Sequence, residues 1–303
     1  MQSLFIDITA AMQNHLWFYL TTIGLVSLCI GSFLNVVIYR LPLMMQKEWQ
    51  TECRLLLADE LTCPKAKQTS EYTTDTFNLV KPNSCCPKCK AAIKPWQNIP
   101  IISWLLLKGK CAICNNPISV RYPLVEAITA ILSLVVAYTF GATEQALLYI
   151  VVTWALVALT FIDIDHMLLP DQLTLPLLWL ALIASVMGYT IAPSDAIIGA
   201  ACGYLSLWSV FWLFKLITGK EGMGYGDFKL LAVFGAILGW QSLLTIILLS
   251  SVVGAVIGIA LLSIQGKDKA TPIPFGPYLA IAGWITMLWG TQLQNSYFNF
   301  IGY

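Results

Sequence analysis

The stretch "LWFYLTTIGLVSLCIGSFLNVVIYR", residues 16–40, decides what kind of protein this is. No charge interrupts it from Leu16 to Ile38, and a helix of ~20 such residues crosses the ~30 Å hydrocarbon core of a bilayer. It closes on Tyr39 and Arg40, an aromatic and a base of the sort that mark a membrane boundary. It has no basic n-region and no small-residue cleavage site, and it is too long for a signal peptide. The run therefore predicts a retained helix that enters the membrane from outside and ends at the cytoplasmic face.

The rest of the chain extends that reading. Its 303 residues are 58% hydrophobic and 11% charged, whereas soluble domains carry roughly 25% charged residues. Seven further apolar segments, at about 122–141, 145–164, 172–191, 196–217, 228–240, 242–264 and 275–291, bring the expected spans to eight. The weakest boundary is the break at Gly239-Trp240, and no low-complexity tract or short-period repeat is visible. Of 17 Lys and Arg residues, 12 fall between Arg40 and Arg121, a window with a net charge of +6. The other five are Lys215, Lys220, Lys229, Lys267 and Lys269. Basic residues beside spans stay on the cytoplasmic side, so eight alternating spans put every base in or beside a cytoplasmic loop. An overall charge of +1 says nothing about nucleic acid, and no nucleic-acid partner is expected.

Only the loop 40–121 is large enough to fold in water. Its opening, "MMQKEWQTECRLLLADE" (44–60), predicts a helix, either lying on the membrane surface or simply solvated. Residues 61–84 are polar and predict a flexible connector. Then come Cys86 and Cys89 and, after 21 intervening residues, Cys111 and Cys114. Two C-x-x-C pairs at this separation predict a tetrahedral, four-thiolate structural Zn²⁺ site. Disulfides are disfavoured because the charge pattern places the loop in a reducing compartment. Cys85 is an alternative ligand to its neighbour. Cys53 and Cys63 are read as bystanders, and Cys29 and Cys202 as packing residues within apolar runs.

Acids at span ends are few enough to weigh singly. Asp7, Glu144, Asp195 and Asp268 fall in loops or tails. Glu126, one turn into the second span beside Arg121, reads as half of a structural ion pair. "FIDIDHMLLPD" (161–171) is different, because Asp163, Asp165 and Asp171 cluster at the cytoplasmic end of the third span. "GMGYGDFKLL" (222–231) brings Asp227 to the same face at the start of the sixth. Two carboxylates brought together at a low-dielectric boundary cannot both ionise at neutral pH, which is the basis of an acid–base pair acting on water. Gly224 and Gly226 clear the approach to Asp227. Helix capping by the same aspartates remains open from chemistry alone.

With "GSFLNVVIYRLP" (31–42), the paired C-x-x-C segment, "NIPIISWLLLKGKC", "RYPLVE", "FIDIDHMLLPD", "TGKEGMGYGDFKLL" and "PIPFGPYLAIAGW" in that order, the sequence resembles the type IV prepilin peptidases. Only about residues 43–84 fall outside the resemblance. It implies a G-x-G-D membrane aspartyl protease whose catalytic pair is Asp227, closing the motif, and Asp163, six residues before Leu169-Pro170. Asp165 is the substitute for Asp163, and Asp171 looks like a cap for the next helix. The resemblance further implies cleavage of prepilins and pseudopilins at the boundary between basic leader and hydrophobic helix. Methylation of the new N-terminus from S-adenosylmethionine follows, associated with the cysteine-bearing loop. No G-x-G-x-x-G fingerprint places the methyl donor.

The expected architecture is an all-α polytopic membrane protein of a bacterial inner membrane, its site facing the cytoplasm and both termini periplasmic. Residues 1–39 form the tail and first helix, 40–121 a zinc-ribbon-like cytoplasmic domain, and 122–303 a peptidase core of about seven helices. A peptidase without methyltransferase activity, a zinc-domain assembly factor and a proton-coupled transporter are the rival readings.

Overall fold

The computed structural model describes residues 12–60, 77–220, 222–265 and 274–301. Cys63, most of the predicted connector, Glu221 and the loop carrying Lys267, Asp268 and Lys269 lie outside the described residues. The described chain is helical, with two isolated β-bridges and no sheet among those residues. Each of the eight apolar segments contains a helix. In chain order the helices are α1 (Leu16–Glu60), α2 (Ile102–Leu106), α3 (Arg121–Phe140), α4 (Glu144–His166), α5 (Asp171–Val186), α6 (Pro193–Thr218), α7 (Tyr225–Leu238), α8 (Gln241–Gln265) and α9 (Gly276–Ile301).

Five of them, α1, α3, α4, α6 and α8, are long and apolar enough to cross a membrane, and α5 is a shorter apolar helix. The chain is thus a multi-pass membrane protein, with an all-helical fold as its sequence implies.

The first helix departs from expectation. Instead of stopping near residue 39, α1 continues through Pro42 to Glu60 as one helix of 45 residues, a length of roughly 68 Å at 1.5 Å per residue. Pro42 costs one backbone hydrogen bond and some ring crowding. The flanking Leu, Met, Gln, Lys and Glu residues are good helix formers and carry the helix past it. The segment expected to form a separate helix is therefore the continuation of the first span.

The chain divides into two compact units, Met1–Ser27 with Ile128–Tyr303, and Leu28–Ala127.

In the first unit α7 is central. It packs on α5, α6, α8 and α9, and ten of its fourteen residues are buried. At roughly 21 Å it is shorter than the ~30 Å hydrocarbon core, and protein surrounds it. The α6–α7 contact is close because it is made by glycines. A Cβ on Gly199 or Gly235 would strike the other's backbone, and one on Gly203 would lie 2.7 Å from the Leu231 carbonyl. Small residues that let backbones meet drive helix association in lipid, where apolar burial gives little. Two cross-helix bonds join Trp154 to Ser133 at 2.9 Å and Trp284 to Thr153 at 3.0 Å.

The second unit has little apolar core beyond its helices. Among the described residues from 77 to 120, only Cys86 and Gly109 are buried. Arg40, buried in α1, gives its guanidinium to the carbonyls of Asn78 (3.0 Å) and Pro82 (2.6 Å). This ties residues 78–82 to α1.

Candidate active site and metal centre

Asp163 lies one turn before the end of α4, and only 6% of its surface is exposed. Met167 closes that helix in the left-handed conformation, its N–H bonded to the Asp163 carbonyl. The Asp163 side chain accepts a hydrogen bond from the backbone N–H of Gly276, the first residue of α9, at 3.0 Å. A Cβ at 276 would lie 2.6 Å from Asp163 Oδ2, so any larger residue there would push the carboxylate aside.

Asp227 is the third residue of α7 and is equally buried. Its carboxylate takes a hydrogen bond from the Gly224 amide. Its Oδ1 is buried with no hydrogen-bond partner among the described residues. Leu169 joins the two acids. A Cβ on Gly226 would meet the Leu169 Cβ at 2.6 Å, and one on Gly276 would meet its Cδ1 at 3.2 Å. Gly276, which anchors Asp163, and Gly226, the neighbour of Asp227, thus pack on one leucine, and the two carboxylates are within electrostatic reach of each other.

Neither of the other two aspartates joins this pair. Asp165 is exposed. Asp171 was expected to cap α5, but the N-cap there is Pro170, without a side-chain cap bond. Asp171 instead receives Lys229 Nζ on both oxygens, at 2.6 and 2.7 Å, tying α5 to α7. In the second unit Glu126 is buried, accepts the Ile101 N–H at 2.7 Å and is also bonded by Ser32. Sequence reading missed both this role and that of Gly276. Its only trace was that "RYPLVE" and "PIPFGP" stood out as motifs.

The four predicted cysteines come together. Cys86, Cys89, Cys111 and Cys114 have all their sulfurs within 4.8 Å of one another, and Cys86 and Cys114 sulfurs are 3.8 Å apart. A tetrahedron with Zn–S arms of ~2.3 Å has edges of roughly 3.8 Å, so this donor set fits zinc. Cys85 is exposed and outside the cluster, and Cys53, Cys29 and Cys202 are exposed too. The last two therefore face outward rather than packing inside.

The cluster is built as a repeat that the sequence did not announce. In the first knuckle Cys86 N–H bonds the Ala91 carbonyl, and in the second Cys111 N–H bonds that of Asn116. Cys85 bridges Ala92, and Lys110 bridges Pro117. The residue after each second cysteine, Lys90 or Asn115, has positive φ (58° and 55°). That turn aims backbone N–H groups at sulfur. Amides of Cys89 and Lys88 bring Cys86 down to about 6, and those of Cys114 and Ile113 lower Cys111. Cys89 takes an amide bond from Ala91, yet burial and the neighbouring thiols push it up to about 11.

Fold and site together define a class: a multi-pass helical membrane protein with two aspartates buried at helix ends and a tetrathiolate cluster in a separate small unit. Residues 25–140 match the bacterial peptidase A24 N-terminal domain, and residues 150–259 match the type IV leader peptidase family. The prepilin leader peptidase/N-methyltransferase of Pseudomonas aeruginosa is 56% identical over 291 residues, 96% of this chain and 97% of that protein. Proteins of the same name from Aeromonas salmonicida and Legionella pneumophila are 54% and 47% identical, covering 94% and 98% of this chain and 96% and 99% of their own. No solved structure matches. The chain belongs to the type IV leader peptidase family.

Proposed function

We propose that Asp163 and Asp227 are the catalytic pair of this enzyme, which cleaves the leader of type IV prepilins and N-methylates the new N-terminus. The observation that carries the assignment is that two buried carboxylates, each held by a backbone amide, flank the packing of Gly226 and Gly276 on one leucine, Leu169. One carboxylate takes a proton from water as the water oxygen attacks the scissile carbonyl. The other gives a proton to the carbonyl oxygen, and proton return to the departing amine completes the hydrolysis. Close packing of Gly226 and Gly276 leaves no room for side chains that would shift either acid.

Pseudopilins are substrates by the same reading, and cleavage takes place at the cytoplasmic face of a bacterial inner membrane. The concentration of bases in 40–121 supports that orientation. Eight spans, with 1–39, 40–121 and 122–303 as tail and first helix, tetra-cysteine domain and peptidase core, complete the topology. Cys86, Cys89, Cys111 and Cys114 would hold one structural Zn²⁺, which cross-links a domain that has almost no apolar core. S-adenosylmethionine is the methyl donor, supplying an electrophilic methyl group to the free N-terminal amine.

The test is incubation of purified protein with a prepilin and labelled S-adenosylmethionine, followed by mass spectrometry. Wild type loses the leader and gains one methyl group. Asp163→Asn and Asp227→Asn each lose cleavage by about 10²–10⁴-fold while keeping helical content. Full cleavage by either variant would remove that residue from the pair.

A further inference from the structure

Between Asp75 and Glu126 the chain has no acidic residue and seven basic ones. Five of them, Lys88, Lys90, Lys94, Lys108 and Lys110, are exposed and flank the two cysteine knuckles. The helix between the knuckles, α2, presents apolar residues outward. Ile102, Leu105 and Leu106 sit at i, i+3 and i+4, hence on one face. All three are exposed, Leu106 to 73%. An exposed apolar face of this kind marks a surface that something covers.

Two hydrogen bonds fix its depth. Ile101, the residue before α2, donates its N–H to Glu126 Oε2 at 2.7 Å. Glu126 is the sixth residue of the candidate span α3, roughly 8 Å along that helix from its start. Trp104 Nε1, within α2, donates to the Ile118 carbonyl at 3.2 Å, three residues before α3 begins. Ile101 is held at positive φ (58°), costly for a β-branched residue, and the bond to Glu126 holds it there. The apolar face of α2 is thus pinned level with the first turns of a membrane span.

The geometry points to an anionic phospholipid surface as the occupant: Ile102, Leu105 and Leu106 insert at the acyl boundary, and the surrounding lysines meet the headgroup phosphates. The charge decides between lipid and protein. Protein interfaces are depleted in lysine, whereas lysines beside an apolar insertion are what anionic leaflets attract. A zinc ion on four thiolates would carry a net charge of −2, which leaves the segment strongly basic. The contact makes the tetra-cysteine domain a peripheral membrane domain as well as a loop between spans, which goes beyond the assignment of its activity.

The test places a photoreactive diazirine amino acid at position 106 of the full chain, in nanodiscs of phosphatidylcholine with about 30% phosphatidylglycerol. Leu106 is exposed, so the substitution leaves the packing intact. Retained prepilin cleavage and bound metal check the fold. The expected products are lipid adducts at 106. Their yield should fall about fivefold to tenfold in phosphatidylcholine alone, and similarly when Lys88, Lys90, Lys94, Lys108 and Lys110 are all changed to Gln. Absence of lipid adducts, adducts to protein instead, or a yield indifferent to headgroup charge would each overturn the proposal.

Discussion

In the unit that holds the acid pair, ten residues of α7 are buried by four neighbouring helices, and the aspartates are positioned by glycine contacts and backbone amides. In the unit that holds the cysteines, almost nothing between residues 77 and 120 is buried, and the thiols are aimed by two short turns with positive φ. The first fixes reactive groups by packing, so its geometry depends on volume. The second fixes them by backbone turns and, on the zinc reading, by a metal, so its geometry depends on an ion. Perturbations of volume and of metal should therefore affect different activities.

Metal removal tests this most strongly. A chelator, or Cys86→Ser with Cys111→Ser, would take the proposed zinc cross-link from a domain with little apolar core to replace it. Methyl transfer should fall to background, while prepilin cleavage stays within about twofold, since exposed or domain-restricted changes leave distant packing alone. Metal analysis of the untreated protein should find about one zinc per chain. Loss of both activities together would show that the peptidase leans on the cysteine unit, and the contrast between the two would collapse.

A volume change in the other unit comes next. In Gly276→Ala the added methyl would lie 2.6 Å from Asp163 Oδ2 and 3.2 Å from Leu169 Cδ1. One of the two must move, and misplacement of a catalytic group by about 1 Å costs on the order of 10²-fold in rate. Cleavage should fall by that amount with zinc content unchanged. Methyl transfer to a peptide supplied already cleaved should persist. Near-normal cleavage would mean that Gly276 does not position Asp163.

These two cases also show what the sequence could disclose. Apolar runs of 20 residues have few alternative structures, so the helices were readable and most ends fell within a few residues. Cys86, Cys89, Cys111 and Cys114 were readable because two C-x-x-C pairs at this separation are a spacing that metal coordination demands. Gly276 was not, because its contact with Asp163 joins residues 113 positions apart, and no local pattern reports such a pair. The run of α1 through Pro42 was hidden for the opposite reason: the local signal for a break was real, and favourable flanking residues outweighed it. The 25-residue repeat of the knuckles escaped because their backbone hydrogen bonds recur while most side chains differ.

The smallest effect is expected from the Lys229–Asp171 ion pair on the dyad side, and it separates bracing from positioning. Lys229 follows Asp227 by two residues, and Asp171 follows Leu169 by two, so their bidentate contact spans the same α5–α7 seam as the packing of Gly226 on Leu169. Half of the Asp171 side chain is exposed to solvent, and pairs of that kind contribute ~0.2–1 kcal/mol, reduced further by salt. Lys229→Met and Asp171→Asn should therefore each lower the thermal midpoint by about 1–3 °C. Cleavage should stay within about twofold, and the double variant should be little worse than either single one because the same contact is lost. If the glycine–leucine packing sets the dyad, kcat at saturating prepilin will be unchanged across the cycle. A tenfold fall in kcat in both single variants, restored by the exchange Asp171→Lys with Lys229→Asp, would instead make charge the element that holds Asp227 in place. The acid pair would then depend on an ionic clamp, as on the zinc reading the cysteine cluster depends on its metal.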